Sequence, residues 1–109
     1  RAYDLILLDV PCSNTGVLAR RPEARYRYTQ QTLGELVKLQ REIIEQARNW
    51  LATDGLMLYS TCSIEPPENQ NQIKKLLRTG GEKLHEHQQL PSGSGDTYTD
   101  GSYHALVRL

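Results

Sequence analysis

Apolar and polar positions along this chain fall into blocks whose period changes from one block to the next. Residues 4–10 carry Leu5-Ile6-Leu7-Leu8 as a continuous apolar run, the pattern of a strand buried on both faces. From about Thr32 to Leu51, apolar residues recur at three- and four-residue steps: Leu36, Leu39 or Gln40, Ile43, Ala47, and Trp50 or Leu51. That spacing predicts one amphipathic helix with its stripe in the core. Thr32 and Glu35 fit a capping box at its start, Gly34 weakens the first turn, and Asp54-Gly55 marks its end. Residues 56–61, with Leu56-Met57-Leu58-Tyr59, return to a strand pattern. A second helix is predicted between Ser63 and Thr79, with Pro66 or Pro67 in its first turn and Ile73, Leu76 and Leu77 inward, stopped by Gly80-Gly81. Residues 83–90 form a weak strand, because only Leu84 and Leu90 are apolar. Residues 91–102 read as a flexible loop, and Tyr103 to Leu109 as a last strand. A strand, a helix and a second strand make a right-handed crossover, so the first two strands run parallel and the class is α/β.

That topology places two cysteines together. Cys12, in Asp9-Val10-Pro11-Cys12-Ser13, and Cys62, in Tyr59-Ser60-Thr61-Cys62-Ser63, each follow the end of a buried strand. Both fall at the carboxyl edge of the sheet, where open α/β sheets place their chemistry. Asp9 interrupts an apolar strand at the same edge, and a carboxylate there needs a partner or a ligand. Turn chemistry at the Pro11–Gly16 segment is one way to satisfy it. A helix beginning near Glu65 would set its N-terminus beside Cys62 and favour the thiolate, with Glu65 and Glu68 opposing.

The chain has 109 residues, room for one small domain, and its formal net charge is zero. Neutrality argues against a wholly electrostatic nucleic-acid binder, but the charge is unevenly spread. Arg20, Arg21, Arg25 and Arg27 cluster in a loop over residues 17–31, with Tyr26 and Tyr28 interleaved. Such a loop is either a solvated surface or a contact for phosphates and bases. The start at Arg1-Ala2-Tyr3, directly before a strand, reads as a piece cut from a longer protein. No apolar run approaches the length of a membrane span. A structural disulfide is disfavoured, since nothing marks the chain as secreted. A zinc site is disfavoured too, because His85, His87 and His104 show no ligand-type clustering with the cysteines. His85 and His87, two apart, read as one face of a strand.

Asp9-Val10-Pro11-Cys12-Ser13-x-Thr15-Gly16 resembles the D-A-P-C-S-x-T-G motif of the Sun/Fmu-type RNA cytosine-C5 methyltransferases, and Tyr59-Ser60-Thr61-Cys62-Ser63 resembles their Y-S-T-C-S motif. Gly16-Val17-Leu18 through Pro22, Leu39-Gln40, Glu68-Asn69 and Asp100-Gly101 are similar to other family segments. Val10 stands in place of the usual Ala, and Ser102 where the family tends to have an aromatic residue. The resemblance implies the C-terminal half of a Rossmann-like S-adenosylmethionine-dependent methyltransferase fold. Residues 1–109 would be strands four to seven of a mixed seven-stranded sheet, the last strand antiparallel and inserted between two others. The half with the Gly-rich cofactor loop would be missing.

The resemblance also implies roles. Cys62 would be the nucleophile that adds to carbon 6 of cytosine, and Cys12 the general base that assists elimination and product release. The sequence alone does not order these two roles. Asp9 would lie near S-adenosylmethionine, and the arginine loop would contact RNA, with 16S ribosomal RNA in the cytoplasm as the expected substrate. Two readings from other classes stay open: an RNA-binding or protein-interaction module with inert cysteines, and a thiol redox protein. An isolated piece would expose the 4–10 strand and could self-associate through it.

Overall fold

Four strands and two α-helices make up the described part of the computed structural model, which covers residues 2–18, 21, 23, 25 and 28–109. The strands are β1 (Tyr3–Asp9), β2 (Leu51–Thr61), β3 (Glu82–Gln89) and β4 (Ser102–Arg108); the helices are α1 (Gln30–Arg48) and α2 (Gln70–Leu76). The sheet order is β1-β2-β4-β3. β1 and β2 are parallel, with Leu7 opposite Leu58 and Asp9 opposite Ser60. β4 is antiparallel to both neighbours and lies between β2 and β3, as the resemblance implied.

Alternation on the inner strands sets the core. Met57, Tyr59 and Thr61 of β2 and Tyr103, Ala105 and Val107 of β4 are buried, while their neighbours in sequence are half-exposed. Ile44 and Ala47 of α1 and Ile73 and Leu76 of α2 complete the same cluster. Both helices therefore cover one face of the sheet.

β1 departs from its expected burial. Ile6 and Leu8 pack against the core, but Leu5 is 52% exposed and Leu7 66% exposed on the opposite face. The strand is buried on one face only, because no described element covers the other.

The first helix begins and ends earlier than its periodicity suggested. Thr29, not Thr32, is the N-cap: its hydroxyl accepts from the Thr32 amide at 3.0 Å, and Thr32 returns the bond to the Thr29 amide at 2.8 Å. Thr29 is as good a cap as Thr32, and the earlier start adds a turn that buries Leu33. Asp54-Gly55 does not end the helix. Asp54 takes a left-handed conformation (φ 59°) inside β2, and the pairing skips from Tyr3–Leu51 to Leu5–Leu56 around it. Trp50, expected to pack, is 49% exposed beyond the helix end, and Leu51 belongs to β2.

The second predicted helix is broken. A 3₁₀ turn over Pro66–Glu68 precedes the seven-residue α2, and another over Leu77–Thr79 follows it. Asn69 causes the interruption: its backbone leaves the helical region (φ −114°, ψ −102°). Its side chain is committed to the cysteine-bearing turn, accepting from Thr61 Oγ1 at 2.7 Å and donating to the Ser63 carbonyl at 2.9 Å.

Candidate active site at the carboxyl edge of the sheet

The ends of β1 and β2 lead into two turns that touch. The Gly16 amide donates to the Cys62 carbonyl at 2.8 Å, and the Gly101 amide donates to the Gly16 carbonyl at 2.6 Å. A Cβ on Gly16 would lie 2.5 Å from the Cys62 carbonyl oxygen, so only glycine lets the first turn pass this close to the second. Asn14, in the left-handed conformation (φ 62°), turns the chain just before it.

The two thiols are free. Cys12 Sγ donates to Asn14 Oδ1 at 3.7 Å, and the backbone amides of Asn14 and Cys62 favour its ionised form. Burial pushes the Cys12 thiol above its ordinary value; those two amides oppose the shift, and the Glu68 and Cys62 charges add to it. Burial also raises Cys62, reinforced by the carboxylates of Asp9 and Asp100 and opposed by Arg21. The expected thiolate-favouring helix end is therefore not what governs Cys62. Seven residues separate it from the start of α2, and the carboxylates of Asp9 and Asp100 act on it instead.

Each thiol lines its own cavity. Cys12 borders a space of about 370 Å³ with Ser13, Asn14, Tyr28, Leu36 and Leu39, on the α1 side. Cys62 borders a groove of about 420 Å³ on the open face, with Asp9, Leu58, Ser60, Ser102 and His104. Asp9 accepts a bond from Ser60 Oγ at 3.3 Å across the β1–β2 pair, a strand partner in place of the expected turn amides.

Under both turns sits a carboxylate that the sequence placed only as a first-turn charge opposing the Cys62 thiolate. Glu68 is fully buried. Its Oε1 accepts from the Ser13 amide at 2.8 Å and from Gln40 Nε2 at 3.1 Å. Its Oε2 accepts from Ser13 Oγ at 2.7 Å and from Ser63 Oγ. Gln40 also donates to the Pro11 carbonyl at 2.8 Å, which explains a fully buried amide on the helix stripe. Two donors on each oxygen fill the acceptor capacity of the carboxylate. The sequence carried only partial signals: the polar alternative at Gln40 in the apolar stripe, and the Glu68-Asn69 pair within the resemblance.

The arginine loop is partly placed. Arg20 and Arg27, with Tyr26, lie outside the described residues. Arg21 and Arg25 are exposed, and the Arg21 charge reaches Cys62. Tyr28 donates to Glu65 Oε1 at 2.6 Å, and that carboxylate pushes its hydroxyl up to about 12. The loop thus ends tied to the segment that follows Cys62. His85, His87 and His104 do share a face, with ring centroids 5.2 and 5.5 Å apart, yet no group of three metal-ligating side chains converges among the described residues.

The chain is similar to ribosomal RNA small subunit methyltransferase B of Shewanella oneidensis, 40% identical over 96% of this chain and 27% of the relative. The protein of that name from Serratia proteamaculans is 39% identical over all of this chain and 27% of its own length. This chain therefore spans about a quarter of those relatives. Among solved structures, a methyltransferase homologue protein from Pyrococcus horikoshii matches with a TM-score of 0.75 and 26% identity, covering 98% of this chain and 39% of that one. NSun6 from the same organism, solved with SFG, matches with a TM-score of 0.73 and 29% identity, covering 94% of this chain and 29% of that one. A family model matches residues 1–107, and the chain belongs to the 16S rRNA methyltransferase RsmB/F family.

Proposed function

We propose that this chain is the catalytic C-terminal part of an S-adenosylmethionine-dependent methyltransferase that modifies carbon 5 of a cytosine in 16S ribosomal RNA. The observation that carries this reading is the meeting of the two cysteine turns beside Asp9 at the carboxyl edge of the sheet. Family membership and the names of the relatives support the RNA substrate. That substrate implies the cytoplasm.

Carbon 5 of cytosine is a poor nucleophile. Cys62, as thiolate, forms a bond to carbon 6, and the electrons of the 5,6 double bond pass to carbon 5, making it enamine-like. When bound, S-adenosylmethionine would supply the methyl group to carbon 5, its sulfur–methyl bond breaking to leave S-adenosylhomocysteine. A base then removes the carbon 5 proton, the double bond re-forms, and the carbon–sulfur bond breaks to release Cys62. Cys12, held above its ordinary thiol value, serves this elimination once it has lost its own proton. The raised Cys62 thiol needs deprotonation as the base binds.

The residues present fit the methyl donor in one respect. Asp9 offers a carboxylate at the edge of the Cys62 groove, suited to the positive charge of a sulfonium compound. The Gly-rich cofactor loop is not in this sequence, so the rest of the cofactor's contacts belong to the remainder of a longer protein. Arg21 supplies positive charge near Cys62, and the exposed Arg25 of the same loop adds to it for RNA phosphates.

The test is transfer of labelled methyl from S-adenosylmethionine to 16S ribosomal RNA by the full-length protein that carries this chain. The label should appear at carbon 5 of a cytosine and vanish with Cys62→Ala. Methylation that survives Cys62→Ala would overturn the reading.

A further inference from the structure

Glu68 stands apart from the two thiols and yet touches the residue that follows each of them. Ser13 is next to Cys12 and Ser63 is next to Cys62, and both donate to one oxygen of the same buried carboxylate. The other oxygen holds the Ser13 amide and Gln40. The anchor is itself anchored: the Tyr59 hydroxyl donates to the Glu68 carbonyl at 2.6 Å, and Asn69 is bonded to Thr61 and Ser63. A core carboxylate has a high desolvation cost, which is offset here only because four donors converge on it. Its four bonds join three segments far apart in sequence: the Cys12 turn, the Cys62 turn and α1.

We propose that Glu68 is a positioning residue: by binding the residue after each cysteine, it fixes the two thiols relative to one another for release of the covalent adduct. This inference rests on the two-thiol reading above. Adduct formation needs only Cys62 and the base. Elimination needs both turns in register, so loss of the clamp should act on release first.

The test uses the full-length protein with Glu68→Gln, which keeps the shape of the side chain. The serine hydroxyls can rotate to accept from the new amide, so the fold survives while the charged clamp is lost. With RNA containing 5-fluorocytosine, the variant should form its Cys62 conjugate at the wild-type rate. With ordinary RNA, kcat should fall about tenfold or more and KM should fall with it, leaving kcat/KM within about twofold of wild type, because only a step after the adduct is slowed. Stalled conjugate should accumulate. The pH profile of release should also move to lower pH, because a negative charge near Cys12 has been removed. If Glu68→Gln fails to fold, Ser13→Ala removes one tie alone and should give the same slow release in smaller measure. Release at the wild-type rate and pH by a folded variant would overturn the positioning role. So would a loss of conjugate formation and of turnover in parallel with the folded fraction. A wild-type protein that forms no conjugate with 5-fluorocytosine RNA would instead overturn the cytosine-methylating reading itself.

Discussion

The two faces of this sheet differ in cover far more than in composition. On the helix side, Met57, Tyr59, Tyr103, Ala105 and Val107 are enclosed by α1 and α2. On the other side, Leu5 and Leu7 lie open beside the half-exposed Leu56, Leu58 and Leu106. In β1 the residues of both faces are equally apolar. An apolar run therefore records a strand's demand for cover, and the position of the crossover helices decides which face receives it. The chemistry lies on the border between them: the cavity at Cys12 opens beside α1, the groove at Cys62 opens on the bare face, and Glu68 joins their turns.

The sharpest contrast between the faces is energetic. Ile44→Ala should destabilise this chain by about 2–5 kcal/mol in urea unfolding, through lost burial and the cavity left behind. Leu7→Ala should change stability by no more than about 0.5 kcal/mol, as an exposed site does. Equal costs would break the comparison.

The second contrast is associative. β1 is an edge strand with an apolar outer face, so this chain alone should self-associate. Leu5→Lys with Leu7→Lys should turn sedimenting dimers or larger species into monomers. A wild-type chain that stays monomeric at high concentration would show that the bare face is tolerated in water.

The smallest expected effect lies at the border. Asp100→Asn in a Cys12→Ala background removes a carboxylate that raises Cys62. The thiol then ionises at lower pH, so the rate of Cys62 alkylation against pH should shift to lower pH. A shift upward, or none, would remove Asp100 from the electrostatics of the site.

Much of this arrangement was legible in the sequence. The parallel pair and the nearness of the two cysteine turns follow from apolar runs and one amphipathic stripe, and the inserted antiparallel strand from the resemblance that the two motifs carry. The errors share a cause: local pattern cannot see tertiary hydrogen bonding. Thr29 and Thr32 are equivalent caps by type, and the reciprocal bonds between them set Thr29 as the N-cap. Gln40 reads as a flaw in an apolar stripe until Glu68 and the Pro11 carbonyl are set beside it. Asp54-Gly55 has the chemistry of a helix stop and makes an irregularity in a strand instead. Asn69 breaks a plausible helix because its amide is spent on the Cys62 turn. The buried clamp at Glu68 could not be read from a residue type that is almost always exposed.

The most direct measurement separates the two thiols. RNA and S-adenosylmethionine are incubated with the full-length protein, and covalent protein–RNA conjugate is resolved on a denaturing gel for wild type, Cys62→Ala and Cys12→Ala. Conjugate should be absent with Cys62→Ala and should accumulate with Cys12→Ala, which attacks the base but releases it poorly. Conjugate from the Cys62 variant and none from the Cys12 variant would contradict the account.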